Sequence, residues 1–433
     1  MSEAGGALTN GTPAPRLRGK IVEARGVLIR VAGLSLHIGE RVRIGGTATG
    51  AEQYGEVVGL EGTHALVLPL QGIHGLSPVC EVDSCGGHGR EIDALQARGR
   101  VIDGLGLALD GGPPLARVRR PPPAPVPPLQ RPAIAEALVT GWRAIDGLLT
   151  CGEGQRLGIF APAGAGKSSL LGSLAQRVQA DSVVVGLVGE RGREVAEFVQ
   201  QHLHTRSRDA IVVVATSDRA PAEKLGAGEL AARLACQLRE HGQHVLLLVD
   251  SLTRYARAAR ELGLALGEPA GRGGFPPSVQ SRLSQLVEAS GRSARGSISA
   301  FYTVLCEEED DPLAEEVRSL VDGHIHLSSA LADAGHFPAI DILRSRSRLF
   351  EMLAEPTQRE HAARFRHWLA RYDELEFLLQ VGEYHPGADA EADLAVRHHP
   401  ELLKFLRQPR DAPCTLTQTR QQLAALFAEV THA

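Results

Sequence analysis

Ala161-Pro162-Ala163-Gly164-Ala165-Gly166-Lys167-Ser168 stands between an apolar run that ends at Phe160 and a helix-forming stretch over 168–179. Small residues in this order let successive backbone N–H groups curl around an anion, and the N-terminus of the following helix adds a partial positive charge. Except for alanine at its first position, the stretch has P-loop spacing. Residues Ala161 to Gly166 then form the cradle and Lys167 reaches the β- and γ-phosphates. The Ser168 hydroxyl is the candidate Mg²⁺ ligand, with Ser169 beside it in the first helical turn. The competing reading is an accidental glycine-rich turn before a helix. Against it, the chain has only four lysines (Lys20, Lys167, Lys224 and Lys404), and one of them occupies the position the motif requires. Alanine at 161 keeps the loop small but would penalise any positive φ needed there.

Working outward, the helix over 168–179 rises about 18 Å at 1.5 Å per residue. The β-rich run 183–188 then returns about 20 Å at 3.3 Å per residue. That round trip brings Gly189-Glu190-Arg191 back to the strand edge holding the P-loop, where ligands of open α/β sheets bind. Glu190 is the candidate for orienting and polarising the attacking water. Arg191 and Arg193 are candidates for clamping phosphate oxygens or fixing that carboxylate. Val245-Leu246-Leu247-Leu248-Val249-Asp250 is an apolar strand ending in an acid, which makes Asp250 the candidate for the Mg²⁺ shell. Further strands are read at 211–215 and 298–305, and Val195, Phe198, Val199 and Leu203 recur at helical spacing between the runs 183–188 and 211–215. Strands alternating with helices predict an α/β domain with a parallel sheet covered on both faces.

The flanks differ from this core. Residues 19–78 alternate short β-rich runs with glycine turns, as in a small barrel or sandwich. Pro121-Pro122-Pro123-Ala124-Pro125-Val126-Pro127-Pro128 reads as a stiff extended connector. After Phe350 the pattern turns helical, with Phe365, Leu369, Tyr372, Leu375 and Leu378 on one face and Leu402, Leu403 and Leu406 on another helix. The expected division is 19–90 as a β-barrel, 91–132 as connector, 133–349 as the ATPase domain and 350–433 as an α-helical domain.

Composition narrows the function. The chain of 433 residues is 43% hydrophobic and 22% charged, with net charge −5, and only 4% aromatic. A basic face or a set of stacking platforms for nucleic acid is not expected from that balance. No run of 18 apolar residues suggests a membrane span, and the first residues lack a secretory signal pattern, so a cytoplasmic protein is expected. Six scattered cysteines fit a reduced compartment. Cys80, Cys85 and His88 supply three candidate ligands at an unusual spacing, which reads as a plain loop rather than a zinc site. Guanine specificity of the usual kind needs Asn-Lys-x-Asp, and Asn10 is the only asparagine, so ATP is the favoured nucleotide.

Further blocks surround these motifs. They are Thr150-Cys151-Gly152-Glu153-Gly154-Gln155-Arg156, Gly189-Glu190-Arg191-Gly192-Arg193-Glu194 and Asp250-Ser251-Leu252-Thr253-Arg254-Tyr255. Gly274-Phe275-Pro276-Pro277-Ser278, Asp322-Gly323-His324-Ile325 and His336-Phe337-Pro338-Ala339-Ile340-Asp341 complete the series. From about residue 19 to about residue 408 the chain resembles the type III secretion ATPases, relatives of the catalytic subunit of rotary ATP synthases. The first of these blocks is more similar to the injectisome branch than to the flagellar one.

The resemblance implies a P-loop core of the rotary-ATPase type, using ATP and Mg²⁺, in a homohexameric ring under the export gate at the inner membrane. The ring would strip chaperones from effectors and unfold or pass on the released proteins. The family's N-terminal barrel holds the ring together, and its helical domain meets chaperone–effector complexes and the central stalk, beside stator and regulator proteins. By the same resemblance Arg348 completes a neighbouring subunit's site, Phe337 packs on adenine, and Glu194 joins the Mg²⁺ candidates. A core role for Phe337 stays open on its residue chemistry alone. The loop around Gly271 to Phe275 is expected to face the ring's channel. Leu225-Gly226-Ala227-Gly228-Glu229-Leu230 departs from a bulkier family pattern, and the tail before the barrel is short. The rival readings are a flagellar export ATPase, a non-catalytic ring subunit and an RNA-dependent ring helicase.

Overall fold

A computed structural model describes residues 18–86, 91–118, 126–203, 208–307, 310–387 and 389–428. His88 and Pro121 to Pro125, named above, lie outside the described residues. The chain divides into two compact units, one of residues Met1–Arg90 with Ala220–Ala222 and the other of the remainder.

In the first unit six strands close into a barrel in the order β1-β2-β5-β4-β3-β6. They are β1 (Gly19–Arg25), β2 (Leu28–Ala32), β3 (Arg41–Gly45), β4 (Gln53–Glu61), β5 (His64–Pro69) and β6 (Glu81–Ser84). Alternation drives it: Val42 and Ile44 of β3 point inward and are fully buried, while Arg41 and Arg43 stay part-exposed. Ile29, Val31, Val57, Val67 and Val82 fill the same interior, each contributing about 1.5–3 kcal/mol by leaving water. Cys80 is buried in this core, where its thiol donates to the Gly46 carbonyl, and Cys85 is exposed.

The second unit is built on a sheet whose parallel strands are β7 (Val101–Asp103), β8 (Arg156–Ala161), β9 (Ser182–Glu190), β10 (Ala210–Thr216), β11 (His244–Asp250), β12 (Ser297–Leu305) and β13 (Gly323–Leu327). With β14 (Ile340–Ser347) at the edge, the order is β14-β13-β8-β12-β11-β9-β10-β7. The sheet is not wholly parallel: β14 runs antiparallel to β13, and Gly291–Arg292 pairs antiparallel with β12. Val101–Asp103, within the stretch expected to act as connector, joins β10 as a sheet strand. The central strands are largely apolar, β9 being buried along its whole length, as a sheet covered on both faces requires.

Helices α1 (Arg143–Leu148), α2 (Lys167–Arg177), α3 (Gly192–His202), α4 (Pro221–Glu240), α5 (Leu252–Ala265), α6 (Pro277–Glu288) and α7 (Pro312–Leu320) accompany the sheet. The small residues of 225–230 have a packing reason: a Cβ at Gly226 would come within 2.8 Å of the Gly104 carbonyl oxygen, and one at Gly228 within 3.0 Å of the Tyr255 ring. A bulkier side chain at either position would push α4 off its neighbours.

Beyond the sheet lie α8 (Pro356–Val381), α9 (Ala390–Leu406) and α10 (Leu416–Ala425). Phe365 of α8 and Phe405 of α9 pack with ring centroids 5.6 Å apart. The buried Gln358 amide of α8 donates to the Asp146 and Gly147 carbonyls at the end of α1, joining the helices to the core. Among the described residues, no helix is long and apolar enough to cross a membrane.

Candidate active site

The P-loop forms at the C-terminal end of β8. Ala161 is the last residue of that strand, so its backbone is extended, and no non-glycine residue among those described has positive φ. The left-handed conformations fall on Gly164 (φ +83°) and Gly166 (φ +85°), where the missing Cβ makes them inexpensive. Alanine at 161 therefore carries no backbone penalty.

Lys167 opens α2, and its Nζ lies 2.5 Å from Asp250 Oδ1 and 3.4 Å from Glu190 Oε1. Glu190 ends β9 and Asp250 ends β11, so three carboxyl-edge termini converge on one ammonium. Both acids are nearly buried, at 5% and 3% exposure. Burial pushes the Asp250 carboxyl above its usual range, while Lys167 beside it pulls the other way.

Two further side chains fix this arrangement. Thr303, on the strand between those of the P-loop and Asp250, donates to Asp250 Oδ1 at 2.6 Å. Arg254, in the first turn of α5, forms an ion pair with Glu190 Oε2 at 2.5 Å and donates to the Gly189 carbonyl at 2.6 Å. Sequence reading did not single out either residue as functional. Arg254 lies inside the quoted Asp250–Tyr255 block, a helical turn beyond Asp250, which is the only signal that pointed to it. Two cations and two carboxylates balance in charge, so the cluster's buried groups are compensated.

Ser168, Ser169, Glu190, Glu194 and Asp250 line one recess of about 200 Å³ with Arg410, which arrives from the segment between α9 and α10. Nothing in the local sequence around Arg410 pointed there. Arg191 is not part of the cluster: it caps α3, with its side chain 78% exposed and 3.7 Å from Glu194. Arg193 pairs with Glu197 at 2.8 Å. The arginine that fixes Glu190 is thus Arg254, because the turn after β9 directs Arg191 and Arg193 outward. Phe337 is 51% exposed, so it is not a core side chain, and a Cβ at Gly166 would lie 3.7 Å from its ring.

Arg348 is elsewhere. The P-loop follows Ala161 at the top of β8, whereas Leu157 near the bottom of β8 pairs with Gly323, and Gly323 pairs with Ser347. Arg348 is exposed, and its backbone N–H donates to the Asp322 carbonyl at 3.0 Å. Most of a six-residue strand, about 17 Å, separates it from the P-loop of its own chain. An arginine side chain does not span that distance along the sheet.

Residues 141–347 match the nucleotide-binding domain of the ATP synthase alpha/beta family, and residues 354–425 match the T3SS EscN ATPase C-terminal domain. The chain is 47% identical to the type 3 secretion system ATPase of Sinorhizobium fredii over 93% of its length and 90% of that protein's. The chain belongs to the type 3 secretion system ATPases. It is an ATP-hydrolysing enzyme with the rotary-ATPase fold. The flagellum-specific ATP synthase of Pseudomonas aeruginosa is 41% identical over 96% of this chain and 94% of that one. The assembled ATPase EscN of the enteropathogenic E. coli type III secretion system superposes with a TM-score of 0.88 at 39% identity, covering 95% of this chain and 100% of that one. EscN in complex with its central stalk EscO gives a TM-score of 0.85 at the same identity and coverages.

Proposed function

We propose that this secretion ATPase works as a homohexameric ring whose catalytic sites are each shared by two subunits. The observation that carries the reading is the position of Arg348 at the opposite end of the strand that holds its own P-loop. A residue so placed serves hydrolysis only in a neighbouring copy. There its guanidinium would meet the charge that develops on the γ-phosphoryl group, a contribution of about 10³–10⁵ in rate for arginines of this kind.

Within one chain, Lys167 binds the β- and γ-phosphates and the backbone of 161–166 with Ser168 and Ser169 cradles them. Glu190 holds and polarises the attacking water, with its carboxylate oriented by Arg254. Phe337 stacks on adenine, which its half-exposed ring beside the P-loop favours. Arg191, exposed and 3.7 Å from Glu194, would meet phosphate oxygens only by turning inward from that pair. Mg²⁺ fits the donors present, since the Ser168 hydroxyl and the Asp250 carboxylate are hard oxygen groups lining one recess, with Glu194 at its rim. When bound it would spread the charge of the phosphate oxygens.

At the level of the assembly, the barrel of 19–90 joins subunits, 91–132 leads on from it and adds Val101–Asp103 to the sheet, 133–349 hydrolyses ATP, and the helices of 350–433 meet the stalk protein and chaperone–effector complexes. The enzyme then dissociates those complexes and delivers unfolded substrates to the export gate, from the cytoplasmic side of the inner membrane beside stator and regulator proteins. The likeness to EscN in its complex with the central stalk EscO supports the stalk contact. The acidic balance and few aromatics argue against nucleic acid.

The test is ATPase rate per chain against protein concentration, for the parent and for Arg348→Ala, with Mg²⁺ present. A steep rise that the variant lacks is expected. A variant that gains rate on concentration as the parent does overturns the shared-site reading.

A further inference from the structure

Gln155 immediately precedes the strand that ends in the P-loop, and it is fully buried. Its Nε2 donates to the Asp322 carbonyl at 3.1 Å and to Ser347 Oγ at 3.1 Å, and its Oε1 accepts from the Gly152 N–H at 2.8 Å. The same Asp322 carbonyl accepts from the backbone N–H of Arg348 at 3.0 Å. Ser347 Oγ donates onward to the Thr150 carbonyl at 3.1 Å. A single side-chain amide thus ties together the turn before β8, the residue before β13 and the last residue of β14. Arg348 is the next residue out of that knot.

The physical consequence is positional. A long arginine is flexible, so the accuracy of its head depends on where its backbone leaves the strand. Both Nε2 hydrogens of Gln155 are used, and with no exposure to water the amide has no alternative partners. A hydrophobic residue of the same volume would fill the space but leave the Asp322 carbonyl, the Ser347 hydroxyl and the Gly152 N–H each without one bond. The β14 end would then be held by fewer contacts, and Arg348 would sample a wider range.

We propose that Gln155 is a positioning residue for ATP hydrolysis, fixing the strand end from which Arg348 is presented to the neighbouring site. This rests on the assignment of Arg348 as the arginine delivered between subunits. Gln155 touches neither nucleotide nor water and acts through that arginine alone. Because it lies at the foot of β8, each subunit holds its own phosphates at one end of a strand and its contribution to the neighbour at the other.

A double-mutant cycle tests this. kcat and KM for ATP are measured for the parent, Gln155→Met, Arg348→Ala and the double variant, at a protein concentration where rate per chain has levelled off. Gln155→Met is expected to lower kcat by about ten- to a hundredfold, as for a small misplacement of a reacting group, with KM little changed. In the Arg348→Ala background the same substitution should add no further loss. An equal fractional loss in both backgrounds overturns the proposal and leaves the role of Arg348 standing, because a merely structural glutamine damages both alike. Parent-like kcat for Gln155→Met overturns it too. If Arg348→Ala itself keeps the parent's kcat, the shared-site reading fails and this one falls with it. Should Gln155→Met melt before assay, Ser347→Ala removes one strut of the knot and enters the same cycle. A smaller loss seen only with Arg348 present supports the proposal, and an equal loss in both backgrounds overturns it.

Discussion

Replacing Glu190 by glutamine keeps the side chain's size while removing one negative charge, and should separate binding from hydrolysis. Glu190 is 5% exposed, with Arg254 at 2.5 Å from one oxygen and Lys167 at 3.4 Å from the other. An amide in that position cannot polarise water, and losing a positioned general base lowers turnover by about 10²–10⁴, or about 3–5 kcal/mol of barrier. Binding should move the other way. Lys167 and Arg254 lose one of the two carboxylates that balance them, so the phosphates of ATP meet a more positive site and affinity holds or rises. The assay pairs single-turnover hydrolysis with equilibrium binding of a fluorescent ATP analogue. Turnover near the parent's, with binding retained, would refute the role of Glu190. A joint loss of binding and fold would refute it equally, since Glu190 would then be structural.

Lys167→Ala should abolish tight ATP binding and lower the melting temperature, because it strips a buried carboxylate of the cation 2.5 Å away, a change of about 3–5 kcal/mol for a broken buried pair; unchanged melting would count against the buried pairing. Phe337→Ala should leave melting almost unaltered, the ring being half exposed, and raise KM for ATP several-fold, in line with about 0.5–1.5 kcal/mol for an aromatic stack. A large melting shift with constant KM would point to packing instead. Burial raises the Glu223 carboxyl to about 7, Arg219 opposing and Asp103 adding. The folded chain holds that proton more tightly than the unfolded one, so the stability it confers is full below about 4.5 and is lost as pH rises through about 7. Glu223→Gln should therefore flatten the pH dependence of melting across that range, and identical slopes for both proteins would contradict it.

Where the sequence was legible, a single physical signal sufficed. The runs at 183–188, 211–215, 245–249 and 298–305 became strands only one to three residues longer, because strands buried on both faces are uniformly apolar and need no partner to be read. The barrel was harder. Alternation along β3 gives an inside and an outside, yet closure rests on Gly19 pairing with Val82, a contact between residues far apart in the chain that no local pattern encodes. Val101–Asp103 escaped notice since three residues carry no period, and α10 because only Thr419 and Leu423 in it are buried. Arg254, Thr303 and Arg410 share that cause. Each acts through a partner on another element, so its role exists only once the sheet order is known.

The same distinction separates what one chain holds from what two would share. Lys167, Glu190, Asp250 and Arg254 are assembled by strand ends at one edge of one sheet. Arg348 leaves the other edge, through a knot of hydrogen bonds around Gln155. If that arginine is delivered between subunits, as proposed, the contact joins two different surfaces of the same chain. A two-fold dimer pairs each patch with itself, which would set the arginine edge against another arginine edge and leave both phosphate sites incomplete. Only a head-to-tail arrangement satisfies every site, and such an interface closes into a ring or runs on as a filament. Closure leaves no chain with an unused arginine or an unserved P-loop. A ring is therefore the arrangement in which every copy of this site is finished by the same contact, and rate per chain should stop rising once rings are complete.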